Sequence, residues 1–191
     1  VISSGVYNTI VGGLAGDALT TGLGNVAIGY QALSLEDTRG RNTAVGYQAL
    51  AYLNANADGY NVAVGFQAGM DLDTGTYNTM IGGAAGAALT DGTLNTVIGG
   101  LAGNQLTTGS YNVAIGYNAL TTEDTYGKNT AVGYRSLEVL NASSDGSNTA
   151  VGFKAGLVLS TGVNNTLIGS EAGDAIQTGT NNIIIGKGAE A

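Results

Sequence analysis

Along the whole chain a polar residue, asparagine, opens a short run of alternating small and β-branched residues, and glycine closes it. The run reads NVAIG at 25–29 and 112–116, and NTAVG at 42–46 and 129–133. Short β-branched runs bounded by glycine read as strands. The opening asparagine recurs at Asn8, Asn25, Asn42, Asn61, Asn78, Asn95, Asn112, Asn129, Asn148, Asn165 and Asn182, at spacings of 17 or 19 residues. Glycine stands four residues after every one of them, and Val or Ile stands immediately before that glycine. Three residues after the glycine comes alanine, with Ser136 the one exception. Eleven residues after the asparagine comes Leu or Ile in most repeats, but Glu36 and Glu123 interrupt that column.

A 17-residue period is too short for repeats built from helix pairs. The pattern predicts an all-β fold: a parallel β-solenoid, or β-roll, of about eleven coils of 17–19 residues. The whole of residues 1–191 forms one repeat array. A second, shorter strand is expected to run through the alanine column toward the leucine column. Sequences such as Thr-Thr-Gly and Ser-Asp-Gly supply the turns. Stacked coils advance about 4.8 Å each, so the rod is roughly 50 Å long. Asn42 and Asn129 typify a ladder of amides, each bonding the next rung. Val45 and Val132 typify an inward Val/Ile column, with Ala49 in a second inward column. Gly46 and Gly133 mark a tight bend or a close backbone approach.

A longer period overlies the short one. The two 19-residue units lie 87 residues apart, as do Glu36 and Glu123. Five coils therefore form a larger unit that has been copied. The residues two after each asparagine (Ala44 and Ala131, or Met80 and Leu167 elsewhere) are also apolar. By alternation they should face the other side of the strand from Val/Ile. A solenoid apolar on both strand faces needs a partner. Self-association about the rod axis follows, most simply a homotrimer.

Composition narrows the function. Only 10% of the residues are charged, and the formal net charge is −8. Phosphate recognition needs clustered cations, so nucleic acid is disfavoured as a partner, as is an anionic membrane surface. No run of 18 apolar residues is present, so this segment is not expected to insert in a membrane. His and Cys are absent, which removes the commonest general base and the usual soft metal ligands. No enzyme activity, metal or cofactor is expected. The chain begins at Val1 without Met or a signal peptide and reads as a fragment or a processed product.

The motifs NTAVGYQAL, NVAIGYQAL and NTAVGFKAG, within residues 7–191, resemble the head repeats of trimeric autotransporter adhesins of the YadA-like type. They are also similar to repeats in trimeric phage tail fibres and mosaic adhesive fibres. That resemblance implies a left-handed parallel β-roll with three chains side by side, on a virion or bacterial cell surface. It implies an extracellular shaft that joins flanking fibre domains or further repeats and holds a region binding a glycan or protein receptor. The coils here are longer than in the adhesin heads, and no anchor, coiled-coil stalk or terminal tip is recognisable.

Three features compete for a direct binding role. Five residues after the asparagine, Tyr30, Tyr47 and Phe66 occupy successive coils, and Tyr117, Tyr134 and Phe153 repeat them. This column reads first as a stacked ladder that stabilises the rod. The alternative is a strip on which sugars stack, as part of a glycan or host-surface binding module. Glu36-Asp37 and Glu123-Asp124 suggest a cation site, but their spacing matches no calcium motif and solvated loop charges are the expected reading. Thr9, Thr43, Thr79, Thr96, Thr130, Thr149 and Thr166 suggest an ice-binding array, yet Val26, Val62, Val113 and Ile183 interrupt it.

Overall fold

The computed structural model describes residues 4–36, 38–55, 57–123 and 125–190. Its strands are eleven three-residue segments, one per repeat. They are β1 Thr9–Val11, β2 Val26–Ile28, β3 Thr43–Val45, β4 Val62–Val64, β5 Thr79–Ile81 and β6 Thr96–Ile98, followed by β7 Val113–Ile115, β8 Thr130–Val132, β9 Thr149–Val151, β10 Thr166–Ile168 and β11 Ile183–Ile185. They pair in parallel and in sequence order, β1 through β11, as a single sheet. The register is one repeat per step: Thr43 pairs Val62, Ala44 pairs Ala63 and Val45 pairs Val64. The chain is a parallel β-solenoid, as the repeat predicts.

The expected second strand is absent among the described residues. The segment after the glycine still bonds coil to coil, as in Leu33 N–H to Ala49 O at 3.0 Å and Leu50 N–H to Ala68 O at 3.1 Å. Its backbone alternates through the left-handed region, with φ of 54° at Gln31 and 52° at Leu33. That alternation curls the chain, so the ladder continues without strand geometry.

The sheet's inner face differs from the sequence expectation. The asparagines from Asn25 to Asn165 are buried, and so are Ala27, Ala44, Ala63, Met80, Val97, Ala114, Ala131, Ala150 and Leu167 two residues on. Val45 and Val132 are not inward: they lie on the outer face beside Thr43 and Thr130, half-buried by their neighbours alone. Strand parity decides this. Once the amide is inside, the residue two places on must be inside and the residue three places on must be out. Ala49, in the alanine column, is fully buried as expected.

Inside, most coils trade volume between two positions. Coils with alanine after Asn25, Asn42, Asn112 and Asn129 carry Leu33, Leu50, Leu120 and Leu137 six residues beyond it, all fully buried. Coils with Ile10, Met80, Val97 and Leu167 instead carry Gly16, Gly86, Gly103 and Gly173 there. A Cβ at Gly16 would fall 2.9 Å from Ile10 Cδ1, and one at Gly173 would fall 2.9 Å from Leu167 Cδ2. Ala63 and Ala150 are paired with Gly69 and Gly156, and there the neighbouring coils fill the space. A Cβ at Gly69 would meet Met80 at 2.7 Å and Leu50 at 3.1 Å. Close packing of this kind leaves no room for independent changes.

The glycine after each strand is a steric requirement. Gly46 has φ of 137°, and a Cβ there would lie 2.2 Å from the carbonyl oxygen of Gly65. Gly133 repeats this against Gly152 at 2.2 Å.

Candidate functional surface

The buried ladder fixes everything outside it. The N–H of Asn95 donates to Asn78 Oδ1 at 3.0 Å, and its Nδ2 donates to the same oxygen at 3.1 Å and to Gly109 O at 2.9 Å. The Oδ1 atoms of Asn42 and Asn129 accept in the same way, from Asn61 N–H at 3.1 Å and Asn148 N–H at 3.2 Å, while their Nδ2 groups donate to Gly40 O at 3.1 Å and Gly127 O at 3.2 Å. Each buried amide thus satisfies its neighbour's backbone and locks rung to rung.

With asparagine inside, the residues before it, one after it and three after it lie on the outer side. Three after it, the Val/Ile column runs unbroken through all eleven coils, with Val11, Ile81, Val151, Ile168 and Ile185 exposed.

The aromatic column five after the asparagine is stacked. Tyr30 and Tyr47 lie 5.6 Å apart with 17° between their planes, and Tyr47 and Phe66 lie 5.3 Å apart at 8°. Tyr117 and Tyr134 lie 5.8 Å apart at 14°, and Tyr134 and Phe153 lie 5.4 Å apart at 10°. The rings therefore cover one another's faces and turn their edges to water. A sugar stacks on a ring face, and most of these faces are taken. At the ends of the ladders the arrangements differ. The ammonium of Lys154 sits over Phe153, 5.1 Å from the ring centre. Beyond Phe66 the next coil has Gly83, whose surroundings are open: a Cβ there would meet nothing within 4 Å.

A second aromatic row was not singled out in the sequence. Immediately before the asparagines stand Tyr60 and Tyr77, stacked 4.9 Å apart at 8°, with the Arg41 guanidinium carbon 5.2 Å above Tyr60. Leu94 and Tyr111 extend the row, and all are exposed. The signal was present, since Tyr7, Tyr60, Tyr77 and Tyr111 share one column of the repeat. It was obscured because Gly, cations, Leu, Ser and Asn occupy the rest of that column.

Glu36 and Glu123 are not solvated loop charges. Both are buried, in the places where other coils have leucine. Their carboxylates accept backbone N–H groups: Arg39 at 2.9 Å and Ala55 at 3.4 Å for Glu36, Tyr126 at 3.3 Å and Ala142 at 3.4 Å for Glu123. Burial of a carboxylate is tolerable when donors meet it, and a solvated reading missed that the column itself points inward. Asp37 and Asp124 lie outside the described residues. Among the described residues no three acidic, His or Cys side chains gather as a metal group, and no helix is long and apolar enough to cross a membrane.

The charged surface is sparse. Lys128 pairs with Asp145 at 2.6 Å, and that hydrogen bond holds the Asp145 carboxyl below its ordinary value and raises Lys128. Arg135 pairs with Glu138 at 2.6 Å, which raises the guanidinium further. Burial alone pushes the Asp71 carboxyl up. No family model, curated protein or solved structure matches this chain.

Proposed function

We propose that this chain is a shaft segment of an extracellular trimeric fibre, a phage tail fibre or a bacterial surface adhesin, with a structural rather than catalytic role. It holds or presents a receptor-binding region carried elsewhere. The observation that supports this best is the outward Val/Ile column, continuous from Val11 to Ile185. A long apolar face on a thin rod favours association. A sister chain carries the same column at the same pitch, so every rung finds an equivalent rung. Continuous backbone bonding along the sheet supplies rigidity, and pairing of every strand with its neighbours leaves edges only at the rod's ends.

Covered ring faces support a stabilising role for Tyr30, Tyr47, Phe66, Tyr117, Tyr134 and Phe153 over direct glycan stacking. Light scattering tests the assembly. A native mass three times the chain's 18.9 kDa is expected, and a monomer across the accessible concentration range would sink the fibre reading.

A further inference from the structure

We infer that Glu36 and Glu123 are clasps that set the size of the coil that follows them. The chain has two 19-residue repeats, 42–60 and 129–147, and each follows directly on a repeat whose inward leucine is replaced by glutamate. The geometry gives this pairing a cause. Two extra residues lengthen the turn of the larger coil before it rejoins the coil beneath, where Gly59 N–H donates to Gly40 O at 3.0 Å. In a junction of equal coils the corresponding turn bonds backbone to backbone, as Asp73 and Gly75 N–H do to Thr90 O at 3.0 and 3.3 Å. Leucine offers nothing to the displaced donors. A glutamate in its place offers two oxygens.

Those oxygens are divided between the two coils. Glu36 Oε1 accepts Arg39 N–H of its own coil, and Oε2 accepts Ala55 N–H of the enlarged one. The enlarged coil reciprocates: Asp58 Oδ1 accepts Gly40 N–H at 3.3 Å, and its Oδ2 meets Arg41 at 3.1 Å. The second copy reproduces each link. Glu123 joins Tyr126 to Ala142, Asp145 accepts Gly127 N–H at 3.3 Å, and Lys128 stands where Arg41 stood. The turns change with the clasp. In both clasped coils the second glycine moves to two residues before the next asparagine: Gly40 and Gly59, then Gly127 and Gly146. A Cβ at Gly40 would fall 1.9 Å from Leu23 O, and one at Gly127 would fall 1.8 Å from Ser110 O. The glutamate, the shifted glycines and the two added residues form one device. It does not depend on the number of chains in the assembly.

The test is a cycle of three variants of the full chain: Glu36→Leu, deletion of Asn54 and Ala55, and the two together. Each single change should lower the melting midpoint by several degrees. The combined variant restores leucine beneath a 17-residue coil, with the shifted Gly40 and Gly59 still in place, and should recover part of that loss. Losses that simply add in the combined variant would overturn the inference, as would a Glu36→Leu protein that melts like the wild type. Should Glu36→Leu not fold, Glu36→Gln is read by hydrogen exchange. Amides at 38–42 and 53–60 should exchange about tenfold faster or more, while the matching segments 125–129 and 140–147 stay unchanged as an internal control. No local acceleration, or an equal acceleration in both copies, would equally overturn it.

Discussion

The 87-residue unit beginning at Asn25 and its copy beginning at Asn112 share an interior and differ at the surface. Inside, Ala27, Leu33, Ala44 and Leu50 return as Ala114, Leu120, Ala131 and Leu137, all fully buried. Outside, the first unit has a row of glutamines beside its aromatic ladder. Gln48 Nε2 donates to Gln31 Oε1 at 2.9 Å, and Gln67 Nε2 donates to Gln48 Oε1 at 2.9 Å. In the copy these positions are Asn118, Arg135 and Lys154. There Asn118 Nδ2 donates to Glu138 at 3.0 Å, and Glu138 also holds Arg135. Asn118 Oδ1 and Thr121 Oγ1 are left without a partner, whereas Ser34, the counterpart of Thr121, donates to Ala51 O at 3.0 Å. An amide ladder satisfies itself only while every rung is the same residue. Once one rung changes, the row must be rebuilt from ion pairs, and some polar atoms are orphaned. The interior drifts less, with Ala49 becoming Ser136 and Met80 becoming Leu167, all fully buried, because each side chain is bounded by the coils above and below.

The largest effects should fall where the copies agree. Ala44→Asp and Ala131→Asp each put an unpaired charge into the core and should cost more than about 4 kcal/mol, by equal amounts, in denaturant unfolding. Val45→Asp and Val132→Asp, one residue away, should leave the far-ultraviolet circular dichroism of the coil intact. Under the proposed assembly they should reduce the native mass. Core-like unfolding from Val45→Asp in a monomeric chain would invert the assignment of faces.

Next in size is the exchange of volume within a coil. Met80→Ala should cost about 2–5 kcal/mol through the cavity it leaves, and Gly86→Leu added to it should recover part of the loss, by analogy with the Ala44–Leu50 coil. If the double variant were less stable than the single one, the complementarity would be coincidental.

Smallest are the effects where the copies diverge. Gln48→Ala breaks both amide bonds of its row and should cost about 1–2 kcal/mol. Arg135→Ala should cost less, and its loss should shrink in high salt because exposed pairs are screened. The Lys128–Asp145 pair adds a pH signature. Its carboxyl is lowered on folding, so its contribution is present above the ordinary carboxylate range and is lost as pH falls through the lowered value. Lys128 is raised, so its share is lost only as pH rises through that higher value. Stability of a Lys128→Ala chain should therefore depend less steeply on acid than wild type in urea titrations from pH 5 to pH 2.

Much of this architecture is legible in the sequence because a solenoid repeats one constraint. Asn42 and Asn129 predict the amide ladder, Gly46 and Gly133 the close approach, and the spacings the number of coils. The face of the sheet was misread at Val45 and Val132, since Val is the more apolar residue and Ala44 the smaller. Apolarity did not decide; parity with the buried asparagine did. The aromatic column was legible as a column, but its ring faces were not, because stacking depends on side-chain torsions that no spacing records. Glu36 and Glu123 were visible as interruptions, and their separation of 87 residues equalled that of the long repeats. Their partners, the amides of Ala55 and Ala142, lie one coil away and belong to ordinary alanines.

The sequence by itself determined a periodic all-β rod, its eleven rungs and the residues that must recur at each, because stacking identical groups is a local rule repeated along the chain. Only the tertiary structure decided which apolar column is core and which is surface, which ring faces remain open, and what the two buried carboxylates hold. Those depend on how wide a coil closes and on which atoms the next coil brings within reach, and neither is written in any single repeat.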